Sequence, residues 1–309
     1  MNAVRIHEYG GPEVLVIEET EKPVAGDGEV LVRIRAAGVN PVDWKVRQGY
    51  LQDFLSPRLP LVLGWDFAGT IEEVGPGVTS LQPGTAVYGH PVIGRDGTYA
   101  EFIALKADFV APKPETLTFE EAAAVPLAAL TAWQALFEVA RLRTGQKILI
   151  HGAAGGVGHF AVQFARWCGA HVIGTASSRH HVFLNSIGIH ELIDYPSTRF
   201  EAKVHDLDVV FDTMSGEVRS RSWQVLKKGG ILVTTLGPEP EDESRQGYEV
   251  RYQSIFVRPD GAQLGEIAAL IDGGQVKPHL AAVLPLGEVR QAHALSEEGH
   301  TQGKIVLRI

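Results

Sequence analysis

The chain has almost no cysteine: Cys168 is the only one among its 309 residues. A single cysteine excludes an intramolecular disulfide bond, and it excludes a zinc site built from several cysteines. Cys168 falls on the apolar side of a segment with helical periodicity. We therefore expect a buried structural thiol rather than a reactive one.

The chain also lacks long hydrophobic runs and dense clusters of basic residues. No apolar stretch approaches the roughly 20 residues of a membrane-spanning helix, and the first residues contain no apolar signal core. The 37 acidic residues outnumber the 28 basic residues, which gives a formal net charge of −9. A surface for nucleic acid is not expected at this charge. We expect a cytoplasmic protein that binds neither membranes nor nucleic acid.

The composition that remains is that of a globular protein with a sizeable core, since 45% of residues are hydrophobic and 21% are charged. A chain of this length is expected to form roughly two domains. Its first part is predicted to be rich in β-strands, which are separated by Gly and Pro turns. The clearest predicted strands there are residues 29–35, 67–74 and 98–104.

From residue 118 onward the pattern becomes helical and then alternates between strand and helix. The predicted helices are 120–125, 127–139, 158–167 and 219–226, and the predicted strands are 148–151, 171–175, 208–213, 230–236 and 249–257. Alternation at this spacing predicts a doubly wound parallel sheet. Residues 237–247 are acidic, polar and proline-containing, which predicts a mobile loop.

The last 50 residues again change pattern, and we expect them to fold back onto the N-terminal part. They contain two predicted helices and a final predicted strand: 263–271, 286–295 and 303–309. The predicted first domain is therefore discontinuous, with residues 1–125 completed by 260–309. Residues 126–259 form the predicted second domain.

The most informative motif lies in the second domain, between residues 147 and 158. A short strand-like run ends in three glycines with the spacing G-x-x-G-x-x-G, and an amphipathic segment follows at once. Strand, tight turn and helix start form the context of a dinucleotide-binding turn. Glycines allow the backbone to approach a pyrophosphate, which also meets the free N–H groups of the helix start. The candidate contacts are Ala154, Gly155, Gly156, Val157 and Gly158.

The end of the next predicted strand distinguishes NADPH from NADH. An acidic residue about 20 residues beyond the glycine turn would bind the ribose 2′-hydroxyl of NADH. No Asp or Glu occurs between Gly158 and Arg179, and Ser177 and Arg179 occupy this region instead. A hydroxyl and a guanidinium suit a 2′-phosphate, so we expect NADPH as cofactor. Thr175 on the same strand is a further cofactor-binding candidate. The alternative is that Arg179 is only a surface residue at a helix start.

Six segments together resemble the zinc-free quinone oxidoreductase branch of the medium-chain dehydrogenase/reductase superfamily. They read AGVNPVDWK at 37–45, GWDFAGT at 64–70, AAVPLAALTAWQ at 123–134, AAGGVG at 153–158, IDY at 193–195 and GKIV at 303–306. The resemblance covers essentially the whole chain. It implies an α/β fold in which a β-rich GroES-like substrate domain accompanies a Rossmann domain, with a cleft between them.

The resemblance also implies roles for two more residues and an assembly. Thr131 would lie near the nicotinamide carboxamide, and Tyr195 near the adenosine half of the cofactor. The alternatives are a Thr131 hydroxyl bonded back to its own helix and a half-buried Tyr195 at a sheet edge. Family members commonly pair strands at the edge of the Rossmann sheet, so we expect a homodimer formed by residues 230–236 or 249–257.

Related zinc alcohol dehydrogenases place metal ligands at two positions where this chain has Asn40 and Trp65. We therefore expect no metal site. Without a Lewis acid, a simple carbonyl loses several kcal/mol of stabilisation for the developing oxyanion. Quinones and α,β-unsaturated carbonyl compounds delocalise that charge themselves, and one or two hydrogen-bond donors then suffice. They are the expected small-molecule substrates.

Candidate donors to the substrate lie between residues 40 and 50. Asn40 can present an amide, Lys45 can reach a carbonyl oxygen or the nicotinamide ribose, and Tyr50 can donate a hydrogen bond. Each has an alternative: Asn40 as a helix cap before Pro41, Lys45 as a solvated lysine, and Tyr50 as a wall of the pocket. We expect the proton to come from water or another labile donor.

Two other functions fit the same cofactor motif. One is an NADPH-binding sensor or structural protein with little turnover, since relatives in this branch include lens crystallins. The other is a reductive module of a larger lipid or polyketide system. An assay of NADPH oxidation with quinones and enones separates the reductase from the sensor.

Overall fold

The structure is a computed structural model that describes residues 1–237 and 245–309. It contains two spatial units. The first unit comprises Met1–Leu130 with Arg258–Ile309, and the second comprises Thr131–Val257. The domain limits of 126 and 259 stay predictions. The loop predicted at 237–247 falls mostly outside the described residues.

The N-terminal part of the first unit contains strands and two short helices, and a pair of helices follows Thr118. In chain order the elements are β1 (Asn2–Ile6), β2 (Val16–Glu19), β3 (Glu29–Val39), α1 (Pro41–Arg47), α2 (Gln52–Leu55), β4 (Leu61–Val62), β5 (Phe67–Val74), β6 (Ala86–Gly89), β7 (Phe102–Lys106), β8 (Val110–Pro112), α3 (Phe119–Ala123) and α4 (Pro126–Trp133). Thr118 accepts a hydrogen bond from the Glu121 N–H, and Glu121 bonds back to the Thr118 N–H. This capping box fixes the start of α3.

The second unit alternates strands and helices after a π-helical segment, Gln134–Val139. Its elements are β9 (Lys147–His151), α5 (Gly158–Trp167), β10 (His171–Ala176), α6 (His181–Ser186), β11 (Glu191–Asp194), β12 (Leu207–Asp212), α7 (Gly216–Ser222), β13 (Leu226–Thr234) and β14 (Arg251–Ser254). The remaining elements return to the first unit. They are α8 (Gly261–Asp272), β15 (Leu280–Pro285), α9 (Val289–Glu298) and β16 (Lys304–Arg308).

The sheet of the second unit has the strand order β11-β10-β9-β12-β13-β14, and every pair is parallel. This is the doubly wound arrangement in which ligands bind beyond the carboxyl ends of the strands, where the order reverses between β9 and β12. Val172, Ile173, Val209 and Val210 are buried, as strands covered on both faces require. The predicted fold class is confirmed.

The first unit is built from two mostly antiparallel sheets. The larger follows the path β15-β16-β3-β5-β6-β8, with β7 paired to β3, and the smaller has the order β2-β1-β4. β16 pairs antiparallel with β3, so the tail folds back onto this unit as expected. Strand β15 is an addition that sequence patterning did not predict.

Some predicted boundaries need correction. The predicted helix 127–139 consists of α4 and the π-helical segment. The predicted helix 219–226 lies partly in α7, which ends at Ser222 and is followed by a 3₁₀ turn. Among the described residues, no helix combines the length and apolar character needed to cross a membrane.

Candidate functional site

The glycine turn between β9 and α5 requires glycine for steric reasons. Gly152 has a φ of +66°, a left-handed conformation that side chains disfavour. A Cβ on Gly158 would lie only 2.2 Å from the carbonyl oxygen of Gly152. The turn is tied to the sheet, because the Ala153 N–H donates to the Thr175 carbonyl oxygen at 3.2 Å. The first N–H groups of α5 therefore begin directly beyond the carboxyl end of β9.

Most of the predicted cofactor residues lie at one edge of the second unit's sheet. Residues 154–158 follow β9, Thr175 and Ser177 lie at the end of β10, and Tyr195 follows β11. The register confirms that these ends are neighbours, since His151 pairs with Thr175 and Ala176 pairs with Asp194. Thr131 lies buried within α4.

Thr175 is held by a buried histidine that the sequence analysis did not single out. Nδ1 of His151 lies 3.0 Å from the Thr175 hydroxyl, and Nε2 lies 3.0 Å from the Ser222 hydroxyl. The Ser222 hydroxyl donates its proton to the carbonyl oxygen of Val218 at 2.7 Å, so it accepts from Nε2–H. Burial lowers the pKa of His151 to about 4, which keeps the ring neutral. Nδ1 therefore accepts a hydrogen bond from the Thr175 hydroxyl. The oxygen of that hydroxyl can then only accept further hydrogen bonds.

Ser177 provides the clearest unfilled polar contact at this edge. Its hydroxyl oxygen is buried and has no hydrogen-bond partner among the residues that the structure describes. Two positions further on, the exposed Arg179 donates from Nε to Nε2 of His180 at 3.0 Å. A buried hydroxyl without a partner, two residues away in the chain from an exposed guanidinium, is suited to an anionic ligand group. This observation and the glycine turn fit a dinucleotide whose phosphates lie along the carboxyl ends of β9 and β10.

An acidic residue, Asp194, also lies close to this segment. Its Oδ1 accepts from the Ser178 N–H at 2.8 Å, and its Oδ2 accepts from the Ser197 hydroxyl at 2.6 Å. Both carboxylate oxygens therefore bind protein donors, and the residue fixes the start of the turn at Ser178. Asp194 belongs to β11 and therefore lies outside the interval between Gly158 and Arg179 in which an acidic residue indicates NADH.

Asn40 needs correction as a candidate substrate donor. Its side-chain amide Nδ2 donates to Asp66 Oδ2 at 2.8 Å, and its Oδ1 accepts from Lys304. The residue is only 2% exposed. Since both ends of the amide are engaged in the core of the first unit, Asn40 has a structural role. Asn40 precedes Pro41 at the start of α1, which agrees with the alternative considered for it, a helix cap.

The partners of Asn40 form a buried ionic pair that sequence analysis missed. Nζ of Lys304 lies 3.1 Å from Asp66 Oδ2 and also donates to the carbonyl oxygen of Val39 at 3.1 Å. Asp66 Oδ1 accepts from the Leu127 N–H at 2.5 Å, at the start of α4. The sequence feature that indicates this pair is Lys304, a charged residue directly before the apolar residues 305–307. The pair connects β16, β5 and α4.

Lys45 and Tyr50 come together around Trp44. The ring centroids of Trp44 and Tyr50 are 6.1 Å apart in an edge-on arrangement, and Lys45 Nζ lies 5.6 Å from the centroid of the Trp44 ring. Tyr50 is 69% exposed. Lys45 is half-buried, and this burial lowers the pKa of its ammonium. Both side chains remain available as donors, in contrast to Asn40.

The residues present do not fit a zinc site. Trp65, at one of the two ligand positions, is fully buried and donates from Nε1 to the carbonyl oxygen of Arg95 at 3.1 Å. The other position is held by the engaged amide of Asn40. Across residues 1–237 and 245–309, no three His, Cys, Asp or Glu side chains are grouped so that they could hold a metal ion.

Cys168 lies at the C-terminal cap of α5 rather than inside the helix, and it is only partly buried. Its Sγ lies 3.6 Å from the carbonyl oxygen of Leu142. Burial raises the pKa of the thiol, which disfavours the reactive thiolate.

Comparison with known proteins places both parts of the chain among dehydrogenases. Residues 26–115 match the alcohol dehydrogenase GroES-like domain family, and residues 187–307 match the zinc-binding dehydrogenase family. The chain is 34% identical to the quinone oxidoreductase of Mus musculus over 99% of its own length and 97% of that protein. It is 32% identical to the mouse mitochondrial NAD(P)H oxidoreductase RTN4IP1, covering 100% of the chain and 89% of the relative.

A solved quinone oxidoreductase from Coxiella burnetii has a TM-score of 0.92 and 32% identity, with 100% of this chain and 99% of that chain covered. Fold, glycine turn and relatives together define a medium-chain dehydrogenase/reductase. The chain belongs to the zinc-independent quinone oxidoreductase branch of that superfamily, and the predicted resemblance is confirmed. It is an NAD(P)H-dependent oxidoreductase. The cytoplasmic location stays a prediction, because one group of relatives is mitochondrial.

Proposed function

We propose that this oxidoreductase uses NADPH to reduce quinones or α,β-unsaturated carbonyl compounds. The observation that carries the cofactor choice is the buried, unpartnered hydroxyl of Ser177 two residues before the exposed guanidinium of Arg179. A 2′-phosphate would satisfy the hydroxyl and pair with the guanidinium. NADH offers only a neutral hydroxyl there. The neighbouring Asp194 carboxylate accepts from Ser178 and Ser197, and these two contacts hold it within the turn.

The chain's own groups would bind and orient the cofactor as follows. The turn at residues 154–158 offers backbone N–H groups to the pyrophosphate. Thr175, whose proton is bound to His151, can accept a hydrogen bond but cannot donate one. When bound, NADPH supplies a hydride. Thr131 and Tyr195 stay proposed contacts of the nicotinamide and adenosine halves.

The proposed acceptor class follows from the donors that the chain offers. Hydride addition to a quinone or enone forms a C–H bond, and the displaced electron pair moves to the carbonyl oxygen. The Lys45 ammonium and the Tyr50 hydroxyl are candidate donors to that oxygen, and the proton then comes from water. Asn40 and Trp65 occupy the two positions where zinc alcohol dehydrogenases have metal ligands, and both side chains are hydrogen-bonded within the protein. They would therefore not hold a zinc ion as Lewis acid. An acceptor that delocalises the charge therefore suits this chain. The relatives named quinone oxidoreductase support this substrate class.

The test is a steady-state assay of NADPH and NADH oxidation with quinones, enones and alkenals, with detection of semiquinone to separate one-electron from two-electron transfer. We expect turnover with NADPH. Removal of one charge-assisted contact by Arg179→Ala should raise KM for NADPH by about tenfold or more, with KM for NADH almost unchanged. Arg143→Gln, an exposed arginine of the same unit, is the control.

Equal effects of Arg179→Ala on both cofactors would exclude the phosphate role. Tight NADPH binding without turnover of any acceptor would favour the sensor or structural protein over the reductase.

A further inference from the structure

The first unit contains a cavity of about 590 Å³ between two loops. Leu55 at the end of α2 lines it together with Ser56 and Arg58 from the loop that follows, and Gly94, Arg95 and Asp96 line it from the loop after β6. The helix before the first loop, α2, begins two residues after Tyr50, one of the candidate donors to the substrate. The volume is within the usual range for small-molecule sites, roughly 300 to 1,000 Å³.

Three contacts fix the shape of this cavity. The indole Nε1 of Trp65 donates to the carbonyl oxygen of Arg95 at 3.1 Å. Asp96 Oδ1 accepts from the Val62 N–H at 2.9 Å. Gly94 has a φ of +92°, and a Cβ there would lie 3.2 Å from Cβ of Leu55. The second loop is therefore held both to the core and against α2.

The cavity has an excess of positive charge. Arg58 and Arg95 both line it, and neither side chain forms an ion pair with any residue in 1–237 or 245–309. The one acidic residue of the lining, Asp96, binds a backbone N–H. Two unpaired guanidinium groups in one cavity are unexpected in a chain with a net charge of −9. A neutral quinone or enone has no anionic group that these guanidinium groups could bind, whereas carboxylate and phosphate groups match guanidinium geometry.

We propose that the acceptor reduced by this protein carries a carboxylate or phosphate group, which Arg58 and Arg95 bind. The apolar lining from Leu55, Pro60 and Leu61 would contact a hydrocarbon spacer between that group and the reducible ring or double bond. The proposal names the substrate class of the function proposed above and rests on it. The arginines act on binding and leave the hydride transfer itself unchanged.

The test compares acceptors that differ only at the end remote from the reacting group. One pair is 6-(benzoquinonyl)hexanoic acid and its methyl ester, and the second is 6-(benzoquinonyl)hexanol and its phosphate ester. The ring and spacer are the same within each pair, so intrinsic reactivity is matched. For the wild-type protein with NADPH we expect kcat/KM for the charged member to exceed that of its neutral partner by about tenfold. A larger charged-to-neutral ratio of kcat/KM in the first pair indicates a carboxylate ligand, and a larger ratio in the second pair indicates a phosphate ligand.

Arg58→Gln and Arg95→Gln should each reduce that ratio, and the double variant should bring it to about one. The rate with the neutral member should stay within about twofold of wild type, because the arginines do not contact the reacting group. Arg35→Gln, an exposed arginine outside the cavity lining, is the matched control. Circular dichroism verifies that each variant is folded.

Two failures are distinguishable. A wild-type ratio near one in both pairs, or a ratio that the double variant leaves intact, overturns the anionic-acceptor proposal while the neutral members are still reduced. Absence of turnover with all four compounds, and with the wider acceptor panel, overturns the reductase function itself.

Discussion

Asp43 lies in an environment that is unusual for a carboxylic acid. It is fully buried, and its Oδ2 accepts from the Tyr99 hydroxyl at 2.6 Å and from the Asn40 N–H at 2.7 Å. Its Oδ1 has no partner among the described residues. Burial raises the pKa of this carboxyl from 3.8 to about 7, although both hydrogen bonds and the charge of Lys304 lower it. The acid is therefore largely protonated below neutral pH.

A pH dependence of stability follows from this shift. Because the pKa is higher in the folded protein, the contribution of Asp43 is fully present below about 3.8 and is lost as the pH rises through about 7. We expect Asp43→Asn to remove that loss, so that the free energy of unfolding of wild type falls relative to the variant between pH 5 and pH 8, by at most about 1.4 kcal/mol per pH unit.

Urea titrations at several pH values measure this difference. Asp53→Asn, which removes an exposed carboxylate of α2, is the control. Parallel pH profiles of wild type and Asp43→Asn would show that Asp43 titrates alike in the folded and unfolded states.

Single residues were predicted well where the deciding contacts are local. The alternative considered for Asn40, a helix start, depends on Pro41 and Asp43 nearby, and it agrees with the structure. Its side-chain role was wrong because the deciding partners, Asp66 and Lys304, are 26 and 264 residues away in the chain. Periodicity carries no information about such long-range pairing.

At the scale of elements, the unit β9–turn–α5 was predicted to within one residue at its start. The predicted helix 158–167 coincides with α5, because glycine spacing and amphipathic periodicity are both local signals. Strand β15 was missed because its residues are exposed or only half-buried and it contains two alanines, so its pattern is weak. Its place depends on pairing with β16.

The glycines of the turn should differ sharply in their tolerance of a methyl group. For Gly158→Ala, the new Cβ would meet the Gly152 carbonyl oxygen at 2.2 Å, so the backbone must shift. For Gly155→Ala the closest atom is the same oxygen at 3.3 Å, and φ is not positive. We expect Gly158→Ala to lower the free energy of unfolding by about 2 kcal/mol or more. Gly155→Ala should keep most of the stability and mainly weaken NADPH binding.

Thermal unfolding and NADPH titration by fluorescence measure the two effects. Equal stability of both variants would mean that the turn is not sterically closed at Gly158. Unchanged NADPH affinity in Gly155→Ala would show that this turn does not contact the pyrophosphate.

For the whole molecule, the sequence predicted the fold class and the discontinuous course of the chain. It could not predict which strand ends the second unit's sheet, because strand order depends on pairing between distant segments. Both 230–236 and 249–257 were candidates for an exposed edge. The structure corrects this: β13 lies between β12 and β14, so only β14 is at that end of the described sheet.

No further strand pairs with the outer side of β14 within residues 1–237 and 245–309, and this edge offers a way to test the expected homodimer. The Ile255 N–H donates to the Thr234 carbonyl oxygen and the Gly229 N–H donates to the Glu249 carbonyl oxygen, both at 2.8 Å. Odd-numbered residues of this segment therefore form backbone hydrogen bonds with β13. The N–H of the even-numbered Ser254 points away from β13, toward the open edge of the sheet. Two copies related by a two-fold axis would pair β14 with β14 in antiparallel fashion.

Proline at Ser254 removes the outward donor without touching the bonds to β13. We therefore expect light scattering after size exclusion to give twice the chain mass for wild type and for Ser254→Ala, and the single chain mass for Ser254→Pro. Circular dichroism and NADPH binding should be retained in the proline variant, because the cofactor residues lie at the ends of β9, β10 and β11. A monomeric wild type would contradict the dimer, and a dimeric Ser254→Pro protein would move the interface away from this edge.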